Sequence, residues 1–181
     1  MICISLGVSV NAQTITTETL LHEMVDRNRL AQFPQPAYIA KQASSYDRAS
    51  TEPGTVQWTA NRDYSQFLRT DRHQNRTEHV MLDAEGPGAV VRIWITWAGR
   101  PAKPFSDGTI RIYLDDAEDA FVAAPVSTLI DGGPSGDGGV WNEPSLAYGV
   151  SIDTPHDRRG HNLFVPIPYA KSCRITYETD Q

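Results

Sequence analysis

One stretch of the chain is too polar for a core strand and too aromatic for a plain linker. It runs Ser44-Ser45-Tyr46-Asp47-Arg48 and is followed by Trp58, Asn61, Arg62, Asp63 and Tyr64. Carbohydrate sites use this mixture. Planar aromatic faces stack on the apolar side of a sugar ring, while Asp, Asn and Arg grip its hydroxyls through paired hydrogen bonds. Asp47, beside the cationic Arg48, is expected to stay ionised, which makes it an acceptor and not a proton donor. The candidate sugar-contacting residues are therefore Asp47, Arg48, Trp58, Asn61 and Asp63. The plainer reading of the same residues is a surface loop with a local ion pair.

Other constellations point to less. Asp83 and Glu85 are two apart, so on a strand they share a face with Cβ atoms roughly 6–7 Å apart. Two cooperating carboxylates would suit that spacing, yet Glu85 runs straight into Gly86-Pro87-Gly88, which reads as a polar strand end entering a tight turn. Asp63 and Glu143 are further acidic candidates near aromatic residues. His156 and His161 sit five apart in an Arg-containing stretch expected to be a solvated polar loop; metal sites usually offer tighter spacing or a second pair. Asp115, Asp116, Glu118 and Asp119 lack the alternating oxygen ligands and central Gly of a calcium loop and read as a hairpin turn. Gly132 to Gly139 has neither phosphate-loop spacing nor a strand–helix context, and Ser135 does not lie in a nucleophile elbow. No cofactor and no metal are expected.

The elements that must position these residues can be read from periodicity. A helix is expected first, capped by Thr16 or Thr17, with Glu18 in its first turn and Leu21, Met24 and Val25 recurring at helical spacing. It must end before Pro34, because Gln32-Phe33-Pro34-Gln35-Pro36 cannot continue a helix. Short alternating runs follow: Thr55–Thr59, His79–Leu82, Ala89–Trp97, Thr109–Leu114, Leu146–Ile152, Asn162–Val165 and Arg174–Tyr177. Ala89–Trp97 is the strongest, since β-branched and aromatic residues dominate it and Arg92 is its only charge. Ala120–Ile130 is ambiguous, although Pro125 argues against a continuous helix. Strands separated by Gly/Pro turns, with no helices between them, give an all-β fold: an antiparallel jelly-roll-like β-sandwich with one leading N-terminal helix.

Length and charge agree with one compact unit. The chain has 181 residues, 40% hydrophobic and 21% charged, with a formal charge of −6. That balance, with no basic tract, excludes an electrostatic partnership with nucleic acid or an anionic membrane, and no run reaches the ~20 apolar residues of a membrane span. Residues 1–12 read as a truncated signal peptide, with small residues Val10 and Ala12 ahead of a mature start at Gln13; secretion or a periplasmic location follows. Cys3 would leave with the leader, and Cys173 would remain as a buried small hydrophobe. Asn75-Arg76-Thr77 is a formal glycosylation sequon.

Five segments, in order, carry a resemblance. They are Ser44–Arg48, Leu82–Gly88, Arg92-Ile93-Trp94, Ile110–Asp115 and Phe164–Ser172. Together they resemble the N-terminal half of the family catalogued as domain of unknown function 2961, glycoside hydrolase family 172. The resemblance implies a tandem pair of jelly-roll sandwiches, homo-oligomers built on trimers, and cleavage of fructofuranosyl or arabinofuranosyl linkages with retention through two glutamates. In the family both glutamates lie beyond the first sandwich, so neither is carried to a position here. The expected organisation is a leader over 1–12, a helix and Pro-containing linker over 13–43, and a first sandwich over 44–181 with the second one missing. A chain of that kind is expected to be inactive alone. The competing readings are a non-catalytic carbohydrate-binding sandwich, a structural assembly protein, and a metal-dependent hydrolase using His156 and His161.

Overall fold

The computed structural model describes residues 14–35, 37–63, 66–96, 108–130, 146–149, 153–155 and 158–179. The leader expected over 1–12, Gly132–Gly139, Glu143 and His156 lie outside them. The leading helix α1 spans Thr17–Val25. Thr16 caps it reciprocally: its hydroxyl accepts the Thr19 N–H at 3.2 Å, and the Thr19 hydroxyl accepts the Thr16 N–H at 2.9 Å. This closes two of the helix's orphan donors. None of its residues is buried, so capping and local propensity, not packing, define it.

The strands are β1 (Arg69–His73), β2 (Arg76–Glu85), β3 (Gly88–Val90), β4 (Ile93–Thr96), β5 (Thr109–Leu114), β6 (Val122–Pro125), β7 (Ala147–Gly149), β8 (Gly160–Leu163), β9 (Ile167–Tyr169) and β10 (Ser172–Glu178). A single short turn of helix, α2 (Val126–Leu129), follows Pro125. One sheet has the order β1-β2-β10-β5-β6; β3 pairs with β9, and β4-β8-β7 form a three-stranded sheet. Every pairing is antiparallel.

One ribbon organises the whole. β2, β3 and β4 pair in turn with β10, β9 and β8, so the chain from Arg76 to Thr96 runs against the chain from Gly160 to Glu178. The register from Ser172↔Glu85 continues unbroken to Val90↔Ile167. It then slips by one residue before Ile93↔Leu163, because Val91-Arg92 on one side faces Phe164-Val165-Pro166 on the other. There the ribbon passes from the β3–β9 pair into the three-stranded sheet. The run expected as a single strand over Ala89–Trp97 is therefore two strands with different partners, and Trp97 lies outside the described residues.

The hydrophobic core draws on both layers. Ile110, Ile112, Ala124, Cys173 and Ile175 come from the large sheet, and Ile93, Ala147, Leu163 and Ile167 face them, with Val126 and Leu129 of α2 closing one end. Cys173 is fully buried, with burial pushing its thiol up to about 11. It is the inert apolar residue its strand context implied.

Two local expectations are corrected, and one strand is added. Thr55–Thr59 is a 3₁₀ turn over Val56–Thr59, not a strand. Gly54 at φ +81 turns the chain just before it, the Thr55 and Thr59 hydroxyls donate back to the Glu52 and Val56 carbonyls, and both Val56 and Trp58 are exposed. Alternation over so few residues had no partner strand to realise it. His161 is not in a solvated loop but fully buried on β8, the middle strand of its sheet, opposite Ile95 and Gly149. β1 went unread because Arg-Thr-Asp-Arg-His offers no apolar alternation. It exists as one arm of a tight hairpin whose two turn residues, Gln74 and Asn75, take positive φ of 47° and 66°, the twist a two-residue hairpin needs.

Candidate functional site

The segment from Ser44 to Asp63 folds into a loop held by side chain-to-backbone bonds. Asp47 is its hub and, at 8% exposure, its one buried polar residue. One carboxylate oxygen accepts the Ala49 N–H at 3.0 Å and the other accepts the Arg62 N–H at 3.0 Å. The Asp47 N–H in turn donates to Asp63 Oδ1 at 2.8 Å. The two aspartates thus clip the two ends of the loop together across intervening chain that includes the exposed Trp58. Ser50 donates its hydroxyl to the Trp58 carbonyl at 2.9 Å, which fixes the 3₁₀ turn against the first arm.

Arg48 is placed differently from the ion pair its sequence neighbour implied. Its guanidinium donates to the carbonyls of Tyr46 and Ser44, the latter at 2.9 Å, and lies 4.0 Å from the Tyr46 ring centroid. Asp47, Arg48 and Asp63 are therefore brought into one loop together with Arg62, and Trp58 is joined to them through its backbone. Asn61 is exposed beside them. Tyr64 lies outside the described residues.

Asp83 and the acidic turn after β5 are committed elsewhere. Asp83 is ion-paired with Arg69 at 2.5 Å, and Arg69 also holds Asp71 at 2.9 Å. Glu85 is exposed at the strand end, one residue before Gly86 at φ +81. The acidic turn after β5 is more than a solvated hairpin tip. Asp115 Oδ1 accepts backbone N–H bonds from Ala170 at 2.8 Å, Lys171 at 2.7 Å and Ser172 at 3.4 Å, while Ser172 donates its hydroxyl to Asp116 at 2.7 Å. The Lys171 N–H, with those of Ala170 and Ser172, holds the Asp115 carboxyl below its ordinary value. This turn is tied to the β9–β10 corner. Among the described residues no group of three or more His, Cys, Asp or Glu side chains is arranged to hold a metal ion.

One polar centre escaped the sequence. Glu78 on β2 is 1% exposed. Tyr113 donates to both of its oxygens at 2.8 and 3.0 Å, Thr176 at 2.9 Å, and Arg76 Nε at 3.3 Å. Burial pushes the Glu78 carboxyl up, but these donors and the nearby Arg111 charge outweigh it and hold its pKa below the ordinary value. The centre lies on the outer face of the large sheet, since Thr176 and Tyr113 alternate with core-facing Ile175 and Ile112. A signal was available. Glu78 has the parity of Val80 in the same strand, and reading that strand from His79 onward cut it off.

What fold and loop define is a class: an all-antiparallel β-sandwich domain preceded by a polar, aromatic loop. Residues 36–181 match the family described as GH172 first beta-sandwich domain, and the chain belongs to that family. No match was found among curated proteins.

Proposed function

We propose that this chain is the first sandwich of a secreted or periplasmic retaining glycosidase acting on fructofuranosyl or arabinofuranosyl linkages. In this reading it supplies scaffold and sugar contacts, through Asp63, Asn61, Arg48 and Trp58 on a loop set by Asp47, within a homo-oligomer built on trimers. The nucleophile and the acid/base reside outside it. The observation that carries the proposal is family membership across 36–181.

The carboxylates support it from another side. A retaining pair needs one free nucleophile and one acid about 5–5.5 Å apart. Glu78 is sealed under four hydrogen bonds, Asp115 accepts three, and Asp83 is salt-bridged. None of these three is poised to attack a sugar carbon.

The test uses the purified chain with methyl arabinofuranoside and methyl fructofuranoside in calorimetric titrations, and with the matching nitrophenyl glycosides as chromogenic substrates. Saturable binding of at least one furanoside without turnover is expected. Hydrolysis by this chain alone at ordinary enzymatic rates, on the order of 1–10³ s⁻¹, or no binding of any furanoside, would overturn the proposal.

A further inference from the structure

We propose that Arg92 and Trp94, on the outer face of the three-stranded sheet, form a platform that binds a furanose ring: the indole under the ring, the guanidinium on a pair of its hydroxyls. The proposal rests on the sugar-processing reading above and adds a site to it that lies outside the Ser44–Asp63 loop.

β4 sorts its side chains cleanly. Ile93 is buried in the core while Trp94, next to it, is 54% exposed. Trp94 is set by its neighbour on β8. A Cβ added to Gly160 would sit 3.1 Å from the indole Nε1 and 3.6 Å from Cε2 and Cζ2. The indole thus lies against bare backbone, supported from beneath, with much of its surface open. An indole exposed in this way offers a flat face on which a ring can stack.

Arg92 is fixed beside it by an unusual partner. Trp94 pairs in register with Asn162, which is 2% exposed. The Asn162 Oδ1 accepts from Arg92 Nε at 3.2 Å and from Nη2 at 2.9 Å, and the guanidinium carbon lies 5.5 Å from the Phe164 ring centroid. Arginine carries five N–H donors in a planar fork. Two are spent on the amide, and three have no hydrogen-bond partner among the described residues. Arg92 has no carboxylate partner among the described residues, unlike Arg29, Arg69, Arg76 and Arg111. A buried neutral amide orients the fork without cancelling its charge.

The combination selects the ligand. A phosphate or carboxylate would satisfy the guanidinium but gain nothing from an indole face. A purely apolar ligand would waste the unspent donors. A sugar ring presents C–H groups on one face and adjacent hydroxyls at its edge, and matches both. Asn162 acts as a positioning residue, because it meets the guanidinium and not the ligand.

The experiment titrates the full chain with methyl arabinofuranoside, comparing wild type with Trp94→Ala, Arg92→Lys and, for the loop, Trp58→Ala. Far-UV circular dichroism and thermal midpoints establish that each variant is folded. Trp94→Ala is expected to weaken binding about tenfold, the upper range of one aromatic contact, and Arg92→Lys to weaken it several-fold, since it keeps the charge and loses the fork. Gly160→Ala, which displaces the indole without removing it, is expected to weaken binding as well. Sodium phosphate and sodium acetate are expected not to compete. Wild-type binding that survives both Trp94→Ala and Arg92→Lys but falls with Trp58→Ala would overturn the platform and leave the sugar-binding loop standing. Absence of any furanoside binding by wild type would overturn both. Displacement by phosphate or acetate at lower concentration than by the furanoside would overturn the assignment of the ligand. If Trp94→Ala fails to fold, Arg92→Lys decides alone, because its side chain is exposed and its replacement keeps the length.

Discussion

The sandwich has two outward faces, and they treat arginine in opposite ways. On the five-stranded face Arg69 holds Asp71 and Asp83, Arg76 holds Glu78, Arg111 holds Glu178 at 2.6 Å, and Arg174 lies 4.4 Å from the Tyr113 ring centroid. Each of these guanidiniums meets a carboxylate or a ring within the same sheet, although Arg111 Nη1 and Arg174 Nε are buried without a hydrogen bond among the described residues. On the three-stranded face the partners of Arg92 among the described residues are an amide and a ring, beside an open indole. A face that satisfies itself has little free energy left to offer a ligand, because binding would first have to break what is already made. A face with oriented, unspent donors pays less for binding. The first face builds the fold; the second is where recognition has room.

The sharpest way to break this comparison is at Glu78. Glu78→Ala leaves the Tyr113 and Thr176 hydroxyls and the Arg76 guanidinium without their acceptor beneath the sheet surface. The expected loss is about 3–5 kcal/mol, the range for removing one member of a buried charged network, read from urea denaturation of the whole chain. Arg92→Lys, on the other face, loses the forked hold on the buried Asn162 oxygen and is expected to cost about 1 kcal/mol. Equal losses from the two would erase the distinction. A pH titration sharpens it next. Glu78 and Asp115 both have folded pKa values below their unfolded ones. Their contribution is therefore complete above the unfolded carboxylate range of about 4–4.5 and is lost as pH falls through the lower folded values. Stability is expected to be flat from neutral pH to about 5 and to decline below it, with Glu78→Gln flattening that decline. A wild-type profile unchanged down to pH 3 would show that these carboxylates are not linked to folding.

How much of this was legible follows from where each signal lives. β5 and β10 were readable because Ile110-Arg111-Ile112 and Arg174-Ile175-Thr176 alternate between an apolar core face and a polar outer face, which imposes period two. The capped helix was readable because its determinants are local. The break within Ala89–Trp97 was not, since what interrupts the pairing at Val91-Arg92 is the extra residue in Phe164-Val165-Pro166 on the opposite arm of the ribbon. Glu78 stayed hidden for a similar reason: its partners Tyr113 and Thr176 are distant in sequence, and a lone glutamate in a strand reads as solvent-facing. The loop was legible in composition but not in mechanism. Asp47 was expected to meet hydroxyls; each of its oxygens also holds a backbone amide, and the one on Oδ2 comes from the approach of Arg62, which is distant in sequence.

That last point yields the smallest effect and a clean one. If Asp47 organises the loop from within, Asp47→Ala should loosen the Ala49 and Arg62 amides without unfolding the sandwich, because Asp47's hydrogen bonds join loop residues to each other. The cost of such a bond is about 1 kcal/mol net, so hydrogen exchange at those two amides is expected to quicken roughly fivefold for each bond lost. Exchange at Val80, Ile112 and Ile175 in the core is expected to be unchanged. Asp63→Ala should release the Asp47 amide in the same way and leave Ala49 protected, since Ala49 depends on the Asp47 side chain alone. If Asp47→Ala instead accelerated exchange throughout the five-stranded sheet, the loop would be part of the folding unit, and its separation from the self-satisfied face would have to be abandoned.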